Sequence, residues 1–451
     1  MTFSVAGKDV IVVGGGRSGT AAAELLRARG ARVTLADAAS ALEAGDRLAR
    51  LGVTLALGPH ESNRFASADL LVLSPGVPAN QPAIDAARRA GVPVMGEIEL
   101  AFRWLAGRVI AITGTKGKST TTTLAARMLA EAGLDATAGG NLGEALSTQV
   151  AASHPDAVHV VEVSSFQLET SDTFHPWIAV LLNLSPDHLD RHASFAEYRA
   201  AKGRIFANQT PDDWAVVNAD DPGAVDLARG VRGRRFDFGL DASLENGVTV
   251  EGPAIVRRQA GAAAPLLPLA AVRLPGRHLL ADVLAAAAVG CLAGVPPAAM
   301  QRAVEGFRGL EHALEPVREI DGVRFVNDSK ATNIASAIRA LESFDAGVVT
   351  ILGGRFKGGR FEDLRDLAAG RVSAVVAIGE AAPLVRAALE DLVPVHDAGS
   401  MDAAVRIAFD AARPGGVVLL APGCSSFDMF RDYAERGRAF KHAVHELARK
   451  S

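Results

Sequence analysis

The chain has 451 residues, 49% of them hydrophobic and 22% charged, a length prior of about three globular domains with ample core. Its net charge of −4 and the lack of any basic tract argue against a nucleic-acid surface. Cys291 and Cys424 form no disulfide or metal-ligand pattern, the N-terminus carries no signal pattern, and the longest apolar run, Leu279 to Leu292, is too short to span a membrane and contains Asp282. A cytoplasmic protein without membrane insertion is expected.

Residues 1–98 alternate strand and helix signals. Asp9-Val-Ile-Val-Val13 reads as a strand, Gly14-Gly-Gly-Arg-Ser-Gly19 fits G-x-G-x-x-G, and Thr20 to Arg29 reads as a helix ended by Gly30. Arg32 to Ala36, Val53 to Leu57, Leu70 to Leu73 and Val92 to Met95 supply further strands, which predicts a doubly wound α/β sheet. The glycine loop suits any pyrophosphate, that of NAD with Asp37 on a ribose or that of a UDP-sugar. Ser74-Pro-Gly-Val77 falls where a ligand in the crevice would be met, or is a simple turn.

Residues 99–309 are organised around Val109-Ile-Ala-Ile-Thr-Gly-Thr-Lys-Gly-Lys-Ser-Thr120. An apolar strand, a glycine loop and a helix start form a phosphate cradle: backbone N–H groups and the positive helix end face an anion. Lys118 can bring charge to the phosphates and Ser119 a hydroxyl to Mg²⁺. The strict pattern needs glycine at 112, where this chain has Ile112, so the loop is a variant or an ordinary glycine turn. Gly139-Gly-Asn-Leu-Gly143 reads as a polar turn. Glu162 stands inside the apolar run His159 to Val163, where a buried carboxylate needs a partner or a metal, unless it lies on the solvent face of an edge strand. A buried strand from Val180 ends in Asp187, His188, Asp190 and His192, which after a phosphate loop read as second-metal and substrate contacts. On composition alone Lys202 reads as solvated. Beyond Asp212 the pattern is weak: Trp214 to Asn218 and Val248 to Val250 read as strands, and Glu245-Asn-Gly247 as a hairpin turn. An Ala-rich helix follows Leu274-Pro-Gly-Arg-His278.

Residues 310–451 form a third α/β unit. A hairpin turning at Asp321-Gly322 delivers the polar stretch Asn327 to Asn333, and strands follow at Val348 to Leu352, Ala374 to Ile378 and Val417 to Leu420. Polar loops stand at Gly353 to Gly359 and Ala421 to Asp428.

Thr113-Gly-Thr-Lys-Gly-Lys-Ser119, Glu162-Val-Ser-Ser-Phe-Gln167, Asp187-His-Leu-Asp-Arg191, Tyr198-Arg-Ala-Ala-Lys202, Asn327-Asp-Ser-Lys-Ala-Thr-Asn333 and Ser425-Ser-Phe-Asp428 together resemble the Mur ligases, nearly end to end. The closest likeness is to the branch that adds D-glutamate to UDP-N-acetylmuramoyl-L-alanine. The resemblance implies three α/β domains: a Rossmann-like sheet for the uridine diphosphate, a central P-loop ATPase-like, mainly parallel sheet for ATP, and a C-terminal Rossmann-like domain. It implies a monomer. It places Arg17, Ser18, Ser74, Gly76, Asn141 and His188 by the UDP-sugar, and Gly114, Thr115, Lys116, Gly117, Lys118, Ser119, Thr120 and Asp328 by ATP. It implies two Mg²⁺ ions held by Ser119, Glu162, His188 and Lys202, the last as a carbamate, which turns a cation into the oxygen ligand Mg²⁺ prefers. Lys330, Thr332, Lys357, Ser426 and Tyr433 would hold D-glutamate, two lysines suiting a dicarboxylate. Lys118, Glu162, His188, Lys202 and Lys330 would carry the catalysis.

The chain departs from the family in places. His278-Leu-Leu-Ala-Asp282 stands where His-Asn-x-x-Asn is usual, His312-Ala-Leu-Glu315 where His-Arg-x-Glu is usual, Lys116 replaces a common Asn, and Tyr433 a common Phe. Lys116 or a nearby arginine is the candidate source of the missing positive charge. Three other readings remain at this point: a related or folate-type ligase using another amino acid, an NAD-dependent oxidoreductase, and a non-catalytic nucleotide-binding relative.

Overall fold

The computed structural model describes residues 3–59, 62–188, 191–273, 276–356 and 358–449. Asp190 and Lys357 therefore lie outside the described residues. The chain divides into two compact units, Met1–Arg273 with Arg277–Phe307, and Arg308–Ser451 with Leu274–Gly276.

The first unit contains two parallel sheets. In one, the strand order is Thr54–Leu57, Arg32–Asp37, Asp9–Val13, Leu70–Leu73, Val94–Gly96. The order reverses between Asp9–Val13 and Leu70–Leu73, so the loops after these two strands flank the crevice where open α/β sheets bind ligands. Val10, Val12, Leu70 and Val72 are buried, as strands covered by helices on both faces require. The second sheet runs Arg234–Arg235, Trp214–Val217, Ile178–Leu181, Arg108–Thr113, Val158–Glu162, Ala136–Gly140, all parallel. Its core packs Val109, Ala111, Val161 and Leu181 with Leu25 and Ile98, so the two sheets share one apolar interior. Each buried Val, Leu or Ile side chain among them contributes about 1.5–3 kcal/mol. The helix Glu97–Phe102 joins them, and Glu99 ties it down by accepting the N–H groups of Asp172, Thr173 and Phe174 at 2.9–3.0 Å.

Two expectations about secondary structure fail in this unit. Gly139 and Gly140 belong to the edge strand Ala136–Gly140 rather than to a turn. Glu245-Asn-Gly247 is no hairpin, because Asp237–Phe238 and Gly247–Glu251 pair in parallel. They belong to a small sheet that also holds Ala254–Gln259 and Ala262–Pro268, both unforeseen. Its hairpin turns instead at Gly252-Pro253 and at Ala260-Gly261, where both residues have positive φ (50° and 83°) as a type I′ turn demands.

The second unit is a six-stranded sheet in the order Glu315–Ile320, Val323–Asn327, Val417–Leu420, Val348–Gly353, Val372–Ile378, Val395–Ala398. The first strand is antiparallel, through the predicted hairpin at Asp321-Gly322, and the rest are parallel. The helices Met401–Ala412 and Tyr433–Ala448 pack Val405, Ala408, Phe440 and Val444 against it. Among the described residues no helix is long and apolar enough to cross a membrane.

Candidate active site

In the first unit a cleft of about 400 Å³ opens at the crevice and is lined by Arg17, Ser18, Ser74, Gly76 and Asn141. Gly19 is required here because a side chain would collide with the Gly14 carbonyl, which lets the helix Arg17–Ala28 start close against the strand end. Asp37 accepts the N–H groups of Gly15 and Ala39, so it braces the glycine loop. Arg17 donates to the Gly143 carbonyl at 2.7 Å, crossing from the first sheet to the second.

The phosphate loop follows the strand Arg108–Thr113. Gly117 takes φ 83°, and the helix Lys118–Glu131 begins there with no side chain capping its N-terminus. Asn183 holds the loop, accepting from Lys116 N at 2.9 Å and donating to Lys116 O at 3.1 Å. Thr115 Oγ1 and Tyr198 Oη share a 3.0 Å hydrogen bond. Lys118 Nζ folds back on the carbonyls of Gly114 (2.9 Å) and Thr115 (3.0 Å). Lys116 Nζ lies 3.7 Å from Asp187. Thr120 points inward and is buried.

Glu162 ends the strand Val158–Glu162, 3% exposed, flanked by strands on both sides, so the solvent-face reading is excluded. Ser119 Oγ donates to one of its oxygens at 2.6 Å and Asn141 Nδ2 to the other at 2.7 Å. A pair of buried hard oxygen donors beside a phosphate loop suits Mg²⁺. Lys202 is not solvated: it is 2% exposed on the helix Phe195–Gly203 and donates to Gly114 O at 2.9 Å and Thr113 Oγ1 at 3.3 Å. Burial first, and then the Lys118 charge sharing the same carbonyl, hold its amine well below the usual lysine value.

His188 is exposed at a left-handed φ of 55°, its ring edge-on to Phe166 at 5.0 Å. Among the described residues no group of three or more His, Cys, Asp or Glu side chains gathers as a metal cluster. His192, expected among the metal and substrate contacts, is buried with both nitrogens engaged: Nε2 with Ser165 Oγ at 2.9 Å and Nδ1 with Glu169 Oε1 at 2.9 Å. Burial favours the neutral forms, lowering His192 and raising Glu169.

Asp282, which the sequence singled out only as a departure from the family pattern, lies beside the phosphate loop. It is 5% exposed on the helix Arg277–Leu292, and its carboxyl packs against Gly117, where any side chain would strike it. Burial pushes this acid up to about 8, only partly offset by Thr121 and Lys118. Its signal was a carboxylate inside an apolar helical run.

In the second unit Asp328, Lys330 and Thr332 occupy the loop after Val323–Asn327, and Ser426 and Tyr433 the segment after Val417–Leu420. Asp328 Oδ1 accepts from Leu314 N at 3.1 Å, and Lys330 N donates to His312 O at 3.0 Å. Ser426 is buried, whereas Tyr433 is 41% exposed. Arg436, 1% exposed and unforeseen, clamps the two segments: it donates to Ser329 Oγ, Ser329 O and Cys424 O at 2.9–3.0 Å. No spacing distinguishes it from an ordinary helix arginine.

Residues 8–96 match the MurD-like N-terminal domain of Mur ligases, 112–290 the Mur ligase middle domain, and 314–424 the Mur ligase glutamate ligase domain. The chain belongs to the Mur ligase family. Within it, the relatives are UDP-N-acetylmuramoylalanine–D-glutamate ligases: that of Acidobacterium capsulatum is 47% identical over 97% of this chain and 96% of its own length, and that of Koribacter versatilis 43% over 99% of each. The solved MurC, a UDP-N-acetylmuramate-alanine ligase from Thermotoga maritima, shares the fold at a TM-score of 0.62 and 19% identity, over 98% of this chain and 100% of its own. A pseudomurein peptide ligase from Methanothermus fervidus does so at 0.60 and 17%, with the same coverage.

Proposed function

We propose that this chain joins D-glutamate to UDP-N-acetylmuramoyl-L-alanine at the expense of ATP, in cytoplasmic peptidoglycan precursor synthesis. One observation carries the reading: Asn141 lines the cleft and also holds Glu162, whose other oxygen meets Ser119 of the phosphate loop. A substrate in the cleft and a nucleotide on the loop would thus meet across one residue.

The chemistry needs activation, because a carboxylate is anionic and has no good leaving group. Transfer of the γ-phosphoryl group to it gives an acyl phosphate and ADP. The D-glutamate amine then attacks the acyl carbon, and the tetrahedral intermediate expels phosphate to leave an amide. Lys118 would leave the Gly114 and Thr115 carbonyls for the phosphates, assisted by the helix N-terminus. Ser119 and Glu162 would hold one Mg²⁺, and His188 with carbamylated Lys202 a second. Bound there, the ions would screen phosphate charge. Lys202 suits carbamylation because its burial lowers the amine well below the usual lysine value, favouring the deprotonated form that is nucleophilic toward CO₂. Arg17, Ser18, Ser74, Gly76, Asn141 and His188 would bind the UDP-sugar, and Asp328 the nucleotide ribose. Lys330, Thr332, Lys357, Ser426 and Tyr433 would bind D-glutamate. The corresponding domain division is 1–98, 99–309 and 310–451, in a monomer.

The test is phosphate release from ATP with UDP-N-acetylmuramoyl-L-alanine and Mg²⁺, with and without D-glutamate. Release that depends on D-glutamate is expected; release with another amino acid alone would overturn the assignment.

A further inference from the structure

Ser165, His192 and Glu169 make a continuous hydrogen-bonded chain, Oγ to Nε2 at 2.9 Å and Nδ1 to Oε1 at 2.9 Å. The same three groups serve acyl transfer elsewhere. Here Ser165 and His192 are each 2% exposed, so no substrate reaches the hydroxyl. The chain holds something rather than attacking.

What it holds is the imidazole ring. One face of that ring is stacked with Phe166 (5.2 Å, 12°), and Phe166 meets His188 edge-on and carries the Arg191 guanidinium at 4.3 Å. The backbone N–H groups of Arg191 and His192 both donate to His188 O at 3.0 Å. His188 sits in the left-handed region, which a histidine keeps only when its surroundings impose it. On its other side His192 meets Tyr198 edge-on at 5.3 Å, and Tyr198 carries Lys202 Nζ 4.7 Å from its ring centre while its hydroxyl bonds Thr115. One buried ring therefore contacts both the turn that presents His188 and the helix that presents Lys202.

We propose that His192, gripped by Glu169 and Ser165, is the positioning residue of the second metal position, setting His188 through Phe166 and Lys202 through Tyr198. This rests on the reading of His188 and Lys202 as the ligands of that metal. A ring that orients ligands without touching the ion commonly alters metal affinity by about 10–100-fold when changed.

The test uses the full chain with a non-hydrolysable ATP analogue and UDP-N-acetylmuramoyl-L-alanine. Bound Mn²⁺ is counted by electron paramagnetic resonance, and the Lys202 carbamate is read by ¹³C NMR after adding ¹³C-bicarbonate. In His192→Phe, which keeps the stack but loses both hydrogen bonds, the first Mn²⁺ should bind as in wild type. The second should weaken about tenfold or more, with a reduced carbamate signal. Glu169→Gln keeps the ring buried and covers the case in which His192→Phe fails to fold; a weakening of the second ion with the first unchanged is expected there. Two ions at wild-type affinity in the variants would overturn the positioning role alone. A single ion in wild type would overturn the two-metal reading and the proposal with it. A general loss of stability would instead move both ions together, which also counts against the proposal.

Discussion

Replacing Asp282 by asparagine should stabilise the first unit by an amount that grows with pH. The acid is fully buried against Gly117, and burial raises it from an ordinary 3.8 to about 8. Between those values the folded protein keeps a proton that the unfolded chain has released. Stability therefore falls by about 1.4 kcal/mol per pH unit across the window, and is level below and above it. The cost reaches about 4 kcal/mol at pH 7 and about 6 kcal/mol above pH 8, both upper limits. Asparagine has the same shape and no proton to hold, so Asp282→Asn escapes the cost. Urea unfolding followed by tryptophan fluorescence isolates the effect, because Trp104, Trp177 and Trp214 all lie in the first unit. The two proteins should unfold alike near pH 4 and separate steadily to pH 8. A stability difference that does not change with pH would refute the argument, since it would mean that Asp282 ionises alike in both states.

Gly117→Ala places a methyl against the Asp282 carboxyl in a left-handed conformation that costs about 1–2 kcal/mol, and should raise the KM for ATP at least about tenfold; an unchanged KM would show that the loop tolerates a shift. Glu99→Gln removes the charge that three N–H groups and Arg103 are bound to, and should cost about 3 kcal/mol by chemical unfolding. Burial alone would raise Glu99, but hydrogen bonds from Thr173 and its neighbours and the Arg103 charge outweigh it and lower the acid, so this stabilisation is complete above pH 4.5 and is lost as pH falls through the lower folded value. Lys202→Ala should abolish turnover, with partial rescue by a short carboxylic acid; full activity would remove Lys202 from the metal site. Lys116→Ala should raise the KM for ATP about tenfold if Lys116 supplies phosphate-side charge, and leave it unchanged if its role ends at Asp187.

The parallel sheets were readable because their strands are buried on both faces. Val10 to Val13, Val109 to Ile112 and Val417 to Leu420 are unbroken apolar runs, a pattern that few other contexts produce. The small sheet was not readable for the opposite reason. Ala262–Pro268 has no β-branched residue and is mostly exposed, and its pairing is set by the turn at Ala260-Gly261 rather than by a hydrophobic face. Val395–Ala398 is an edge strand whose His396 and Asp397 face solvent, so alternation is faint there too.

Glu162 announced itself because a charge within an apolar strand demands a partner, and the structure supplies two. Lys202 and Arg436 made no such announcement. Both lie on helices where their residue type is ordinary, and both acquire meaning only from what the fold brings over them. Lys202 makes the point most sharply. A lysine in a helix is a cation by default; burial against Gly114, and then the presence of Lys118 on the same carbonyl, hold its amine well below the usual lysine value. An amine so lowered gives up its proton more readily, and the deprotonated form is the one able to take up CO₂, which supports the proposed modification. Tertiary packing thus shifts the protonation equilibrium, that shift bears on the available chemistry, and neither step leaves a trace in spacing or composition.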